Sequence, residues 1–215
     1  MSEHMGLIDI LLSRLFHDLI SPVSATVNGA ELISDLGGGG GGDLEQEALA
    51  LIGTSARQAS ERLSFFRVAF GGAGSTADQS VADGAALAEP YLKARKIAFE
   101  LECDADPKSV RPPVGGMKVA LGFICTLCEC LPRGGSISLG VTGAAAEEMV
   151  LKATGDGANL LPEVASALEE GADIANLTSR SVVAHIAAEN ARRFGMDFAL
   201  EEALNALEIR LRTQR

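Results

Sequence analysis

The chain has 215 residues, 47% of them hydrophobic, and a formal net charge of −11. That is enough apolar material for one or two domains with a real core, and the negative balance argues against nucleic-acid partners, whose phosphates such a surface repels. No apolar run approaches the ~18 residues needed to cross a bilayer.

The opening MSEHMGLIDILLSRLF has neither a basic n-region nor a small-residue cleavage site, so no secretion signal is read there. From about residue 7 to 36 the apolar spacing is helical. Projected at ~100° per residue, Ile8, Leu12, Leu15, Leu19, Val23, Ala30 and Ile33 share one side, with Thr26 among them. Ser13, Arg14, His17, Ser21, Ser24, Asn28, Glu31 and Asp35 share the other. Pro22 lacks an N–H and is expected to bend this helix just past His17.

Six glycines, Gly37 to Gly42, then break the chain, and Asp43 is a suitable N-cap for a second helix over residues 43–70. Leu44, Leu51, Ile52, Leu63, Phe66 and Phe70 are its expected bundle-lining positions. A pair of such long helices has little core of its own. The expected solution is a dimer in which two hairpins form a four-helix bundle. A second glycine-rich break, Gly71-Gly72-Ala73-Gly74-Ser75, divides the chain into a hairpin (1–72), a linker (73–78) and a second domain (79–215).

That second domain reads as mixed. A helix spans residues 81–95, and Ile97 to Cys103 alternates as a strand. A helix follows Pro112-Pro113 and runs to Leu131. The turn Pro132-Arg133-Gly134-Gly135 leads into a hairpin of strands at 136–141 and 148–154. Helices at 161–170 and 178–194 and strands at 196–200 and 206–211 complete the chain. The fold class is α+β: a helical hairpin followed by an α/β sandwich with helices on one face of a mixed sheet. Cys103, Cys125, Cys128 and Cys130 form neither a disulfide framework nor a convincing metal site. They read as small buried hydrophobes in a reducing cytoplasm.

The chemistry lies in RLFHDLISPV, residues 14–23. A neutral imidazole, with an ordinary pKa of about 6.5, is a nucleophile at neutral pH, and attack on phosphorus yields a labile phospho-imidazole. His17 is the candidate nucleophile. Asp18 is suited to accept a ring N–H or a proton, and Ser21, one turn on, to bond phosphate or a partner.

The run His17-Asp18-Leu19-Ile20-Ser21-Pro22-Val23 resembles the H-box of sensor histidine kinases, with Ile20 departing from the basic residue common there. Together with Arg62-Leu63-Ser64-Phe65-Phe66-Arg67-Val68-Ala69-Phe70-Gly71, it resembles the ChpT-type histidine phosphotransferases of bacterial phosphorelays. The later element order is similar to the kinase ATP-binding (Bergerat-type) domain. Yet Gly122 and Thr126 stand where its Asn residues would be, Gly155 where its adenine-binding Asp would be, and Asn176 to Ser181 where its glycine-rich lid would be.

The resemblance therefore implies a phosphotransferase with a degenerate ATPase-like domain, no bound cofactor and no metal of its own. His17 would accept a phosphoryl group from the receiver aspartate of a CckA-like hybrid kinase. It would pass the group to CtrA-like or CpdR-like response regulators, with Mg²⁺ supplied by the receiver. Ser13, Arg14, Ser21, Ser24, Ala25 and Asn28 would form the docking surface, with Arg62 and Arg67 as further docking residues. A diverged ATP-dependent autokinase and a non-catalytic receiver-binding adaptor are the competing readings.

Overall fold

A computed structural model describes residues 2–36, 42–72 and 79–214. Most of the first glycine run and the whole linker expected at residues 73–78 lie outside the described residues. Two long helices, α1 (Ser2–Asp35) and α2 (Gly42–Ala69), pack against each other as the hairpin. They approach closely because small residues meet: a Cβ added at Gly29 would lie 2.7 Å from Ile52 Cγ1 and 3.2 Å from the Ala48 carbonyl. α1 runs through Pro22 as one continuous helix.

The second domain follows the expected order: α3 (Val81–Lys93), β1 (Ile97–Cys103), α4 (Gly116–Glu129), β2 (Gly135–Thr142), β3 (Glu148–Thr154), α5 (Pro162–Leu168), α6 (Val182–Arg193), β4 (Met196–Ala203) and β5 (Ala206–Thr213). One unexpected 3₁₀ turn, Ile174–Asn176, lies between α5 and α6. The sheet order is β1-β2-β3-β5-β4. Only the β1–β2 pair is parallel, bridged by α4, and the other neighbours are antiparallel. The strands alternate. Ile137, Leu139 and Val141 of β2, Met149, Leu151 and Ala153 of β3, and Leu207, Ile209 and Leu211 of β5 are buried, while intervening residues are less covered. That is the pattern of an antiparallel sheet with one packed face.

α3 begins with a capping box. Ser80 accepts from the Asp83 N–H while the Asp83 carboxylate accepts from the Ser80 N–H and hydroxyl. The Ser80 hydroxyl and backbone hydrogen bonds hold the Asp83 carboxyl below its ordinary value. α4 lies at the centre of the domain, packed on α6 and the sheet.

Two expectations change at the hairpin. The single apolar side read for α1 divides into two rows. Leu7, Leu11, Leu15 and Leu19 pack against the domain core, whereas Ile8, Leu12, Phe16, Ile20, Val23 and Val27 are exposed. The second row is centred roughly 110° around the helix from the first, at ~100° per residue. On α2, Leu44, Leu51 and Leu63 are exposed, as bundle-lining positions of an uncovered hairpin would be. Phe66, expected in the bundle, instead enters the C-terminal core with Phe65, Val68 and Ala69, and Phe70 packs against that core. The reason is the Tyr91 ring of α3. It stacks on Phe65 with centroids 3.8 Å apart and planes 5° off parallel, and meets Phe66 edge-on at 5.8 Å. The buried Lys118 of α4 adds a tie, donating to the Gly71 carbonyl at 2.6 Å.

Candidate functional site

His17 projects from the polar side of α1, its side chain 86% exposed. One residue on, Asp18 is only 11% exposed because ~100° of rotation turns it toward the C-terminal domain. There its Oδ2 accepts from Arg95 Nη2 at 2.5 Å, with Arg14 Nη2 at 3.6 Å. Arg14 in turn reaches Glu129, the last residue of α4, at 2.5 Å. The guanidinium of Arg95 lies 3.8 Å from the centroid of the Tyr91 ring and donates to the Tyr91 carbonyl at 3.2 Å. Tyr91 closes the chain of contacts with an OH···S hydrogen bond to Cys125 of 3.1 Å.

Pro22 explains one further contact. In a helix the residue-22 N–H would bond the carbonyl of residue 18, and proline has none. The released Asp18 carbonyl accepts from Arg62 of α2 instead. The helix thereby carries its proline without an orphaned acceptor, and α1 is joined to α2 one residue from His17.

The electrostatics follow from this crowding. Desolvation opposes the charge on Arg14, but Glu129 foremost, with Cys125 and Asp18, outweighs it and raises the group above its ordinary value. Arg95 is raised in the same way, by Tyr91, Cys128 and Asp18 against its burial. Arg62 moves the other way, lowered by burial and by the neighbouring Arg95 charge. Burial pushes the thiols of Cys125 and Cys130 up to about 11 and that of Cys128 well above its usual value, so these three stay protonated and unreactive at neutral pH. All four cysteines are free, and among the described residues no cluster of His, Cys, Asp and Glu is arranged to hold a metal ion.

A cleft of about 400 Å³ opens beside His17, lined by Ser13, Arg14, His17, Glu129, Ser179 and Arg180. Ser179 and Arg180 come from the turn that precedes α6. That turn is pinned by reciprocal bonds, Thr178 N–H to Ser181 Oγ at 2.9 Å and Ser181 N–H to Thr178 Oγ1 at 3.2 Å. Among the described residues the Arg180 guanidinium has no ion-pair or hydrogen-bond partner.

Of the expected site residues, Ser13, Ser21, Ser24 and Asn28 are exposed and Ala25 is half-buried. Arg14 and Arg62, expected as docking cations, are engaged inside the chain by Glu129 and the Asp18 carbonyl. Arg67 is exposed near the end of α2, and among the described residues no contact joins it to the His17 cluster. Asp18 stands 3.8 Å from His17 Nδ1, beyond hydrogen-bond length, because its carboxylate is drawn to Arg95. Sequence reasoning missed Arg95, Glu129, Ser179 and Arg180. Glu129 was legible only as an acid among cysteines, and Arg180 only as part of a segment without lid glycines.

The architecture is shared with a solved bacterial phosphotransferase, which covers 96% of this chain and 96% of its own at a TM-score of 0.75 and 29% identity. Residues 81–205 match the family described as histidine phosphotransferase C-terminal domain. The protein phosphotransferase ChpT of Brucella abortus (strain 2308) is 38% identical over 136 residues, 63% of this chain and 60% of the Brucella protein. A helical hairpin carrying an exposed imidazole beside a mixed-sheet sandwich thus defines a protein of phosphotransferase architecture. The chain belongs to the histidine phosphotransferase family.

Proposed function

We propose that this protein carries phosphoryl groups on His17 between receiver-domain aspartates of a phosphorelay. The observation that carries the reading is the His17 side chain, 86% exposed on the first hairpin helix of a chain that belongs to this family. In the forward step a ring nitrogen attacks the donor's acyl phosphate. The N–P bond forms as the O–P bond breaks, and the donor aspartate recovers its carboxylate. The second step is the reverse reaction on another receiver, the divalent cation coming with the receiver in both. The donor is the receiver of a hybrid histidine kinase and the acceptors are response regulators. Their docking surface combines Ser13, Ser21, Ser24, Ala25 and Asn28 with Ser179 and Arg180 across the cleft.

The chain works without binding ATP. In support, α6 packs so closely on α4 that a Cβ at Gly122 would sit 3.1 Å from that of Ala187. An Asn side chain there would have to push Ala187 back by a few tenths of an ångström before it could hold phosphates or Mg²⁺. The Thr126 hydroxyl is spent on the Gly122 carbonyl at 3.0 Å, and a side chain at Gly155 would collide with the Gly134 carbonyl.

The working unit is a homodimer. The uncovered row of Leu12, Phe16, Ile20, Val23 and Val27, with Leu44, Leu51 and Leu63 of α2, is the surface a second copy would bury. The compartment is the cytoplasm. The four free thiols fit a reducing environment, and among the described residues no helix is long and apolar enough to cross a membrane.

The test mixes the purified protein with a receiver domain carrying labelled phosphate. Label reaches the wild type and not His17→Ala, and ATP with Mg²⁺ produces no labelling and no thermal shift. Equal labelling of His17→Ala would sink the proposal. Labelling from ATP alone would favour the autokinase reading, and tight receiver binding without transfer the adaptor reading.

A further inference from the structure

The acid next to the proposed nucleophile makes no hydrogen bond to it. Asp18 Oδ2 is held by Arg95 at 2.5 Å with Arg14 at 3.6 Å, its backbone carbonyl is taken by Arg62, and its Oδ1 stops 3.8 Å short of His17 Nδ1. The three arginines come from α1, from α2 and from the turn between α3 and β1. All three act on one residue, at the one turn of α1 where Pro22 has removed a helical bond. Arg95 is itself fixed by the Tyr91 ring and carbonyl, and Arg14 by Glu129. With Oδ2 taken by Arg95 and Oδ1 3.8 Å from Nδ1, no hydrogen bond is in place along which the ring could pass a proton to this carboxylate.

We infer that Asp18 is a positioning residue and not the proton acceptor of the transfer step: with Arg95 and Arg62 it forms a clamp that fixes the direction in which α1 presents His17 to a receiver. The inference rests on His17 being the phosphorylated group, and it gives the C-terminal domain a part in transfer although it supplies no nucleotide. Arg95 lies 77 residues from Asp18 in sequence, on the far domain, yet it determines whether the turn carrying His17 is held or free to rotate. In-line transfer is sensitive to such freedom, since ~1 Å of misplacement costs about 10²-fold in rate.

The experiment is single-turnover transfer from a phosphorylated receiver domain to full-length protein, across pH and receiver concentration. Wild type is compared with Asp18→Asn, Arg95→Met, Arg95→Lys and the double variant Asp18→Asn/Arg95→Met. The clamp predicts that Asp18→Asn and Arg95→Met each lower the saturated rate about 10- to 100-fold with receiver affinity little changed. It predicts that the double variant is no slower than the slower single, that Arg95→Lys recovers part of the rate, and that the pH profile of Asp18→Asn keeps the wild-type shape. The inference is overturned if Asp18→Asn slows transfer while Arg95→Met runs at the wild-type rate, or if Asp18→Asn alters the shape of the pH profile. It is equally overturned if every folded variant transfers normally. Should Arg95→Met fail to fold, Arg95→Lys and Glu129→Gln, which loosens the Arg14 limb, carry the same test. An unlabelled wild type defeats the proposed function itself, whereas a labelled wild type with indifferent variants defeats only the clamp.

Discussion

Helices α1 and α4 are both rich in apolar residues and have opposite fates. Thirteen of the fourteen residues of α4 are buried, enclosed by α6, α3 and the sheet. In the 34-residue α1, Pro22 and Gly29 alone are buried among the described side chains. The C-terminal domain encloses an extended core, to which α2 lends Phe65, Phe66, Val68 and Ala69, and the hairpin encloses none of that extent. What the C-terminal domain core covers of the hairpin is confined to one end, where Leu7, Leu11, Leu15 and Leu19 of α1 and Phe65 to Ala69 of α2 join it. The Asp18 clamp sits at that covered end. The lesson is that His17 sits at the junction between a domain with an enclosed core and a hairpin without one, its neighbour Asp18 covered by its own chain and its ring open to solvent.

Loading the uncovered row with charge attacks this comparison most directly. Val27→Glu with Leu51→Glu places two carboxylates per chain on apolar surface, and if a second copy covers that surface, self-association weakens by about 10³-fold or more. Sedimentation equilibrium reads the change. A wild type that is monomeric at micromolar concentration removes the dimer from the account. The next largest effect is expected from Phe65→Ala. Although the residue belongs to a hairpin helix, it costs about 3–5 kcal/mol and lowers the melting temperature of the C-terminal domain, because the ring is 0% exposed and stacked on Tyr91. Separate melting transitions for hairpin and domain, with only the hairpin affected, would show that the two do not share a core.

The buried thiols make the domain sensitive to base. Cys125 and Cys130 hold their protons to about 11 in the folded state against an ordinary 9.0. Stability is therefore fully present below pH ~9 and is lost as pH rises from there through the folded values. Urea unfolding at pH 8 and pH 10.5 checks this, and Cys125→Ala flattens the dependence. The smallest effect is at the α3 cap. Ser80→Ala costs about 1 kcal/mol, and because the Asp83 carboxyl is held below its ordinary value, the stability the cap contributes is present above the unfolded value and lost as pH falls through the folded one. A cap that stabilises equally in acid would contradict that assignment.

Much of this molecule was legible before any coordinates. The alternation of Ile97 to Cys103 marks β1 to the residue, the expected hairpin partner Glu148 to Thr154 is β3, and glycine and proline mark the turns. The helical period of α1 puts His17 in a polar row, where it is found exposed. Helix ends were less legible. α4 starts at Gly116, three residues past the Pro112-Pro113 pair that the helix was expected to follow, and α6 begins at Val182 after a hydrogen-bonded turn. The partners of Asp18 were not legible at all.

What the sequence determined by itself is what short-range sterics and periodicity control: the elements, the polar row and the missing N–H of Pro22. Only the tertiary structure decided which of two apolar rows on α1 is covered, that Phe65 and Phe66 leave the hairpin for the domain, and that Arg62 and Arg95, 44 and 77 residues away, close on Asp18. A helix that is apolar over more than half its circumference offers several faces of similar free energy to its surroundings. The choice among them, and the pairing of charges across it, depends on what the rest of the chain brings near.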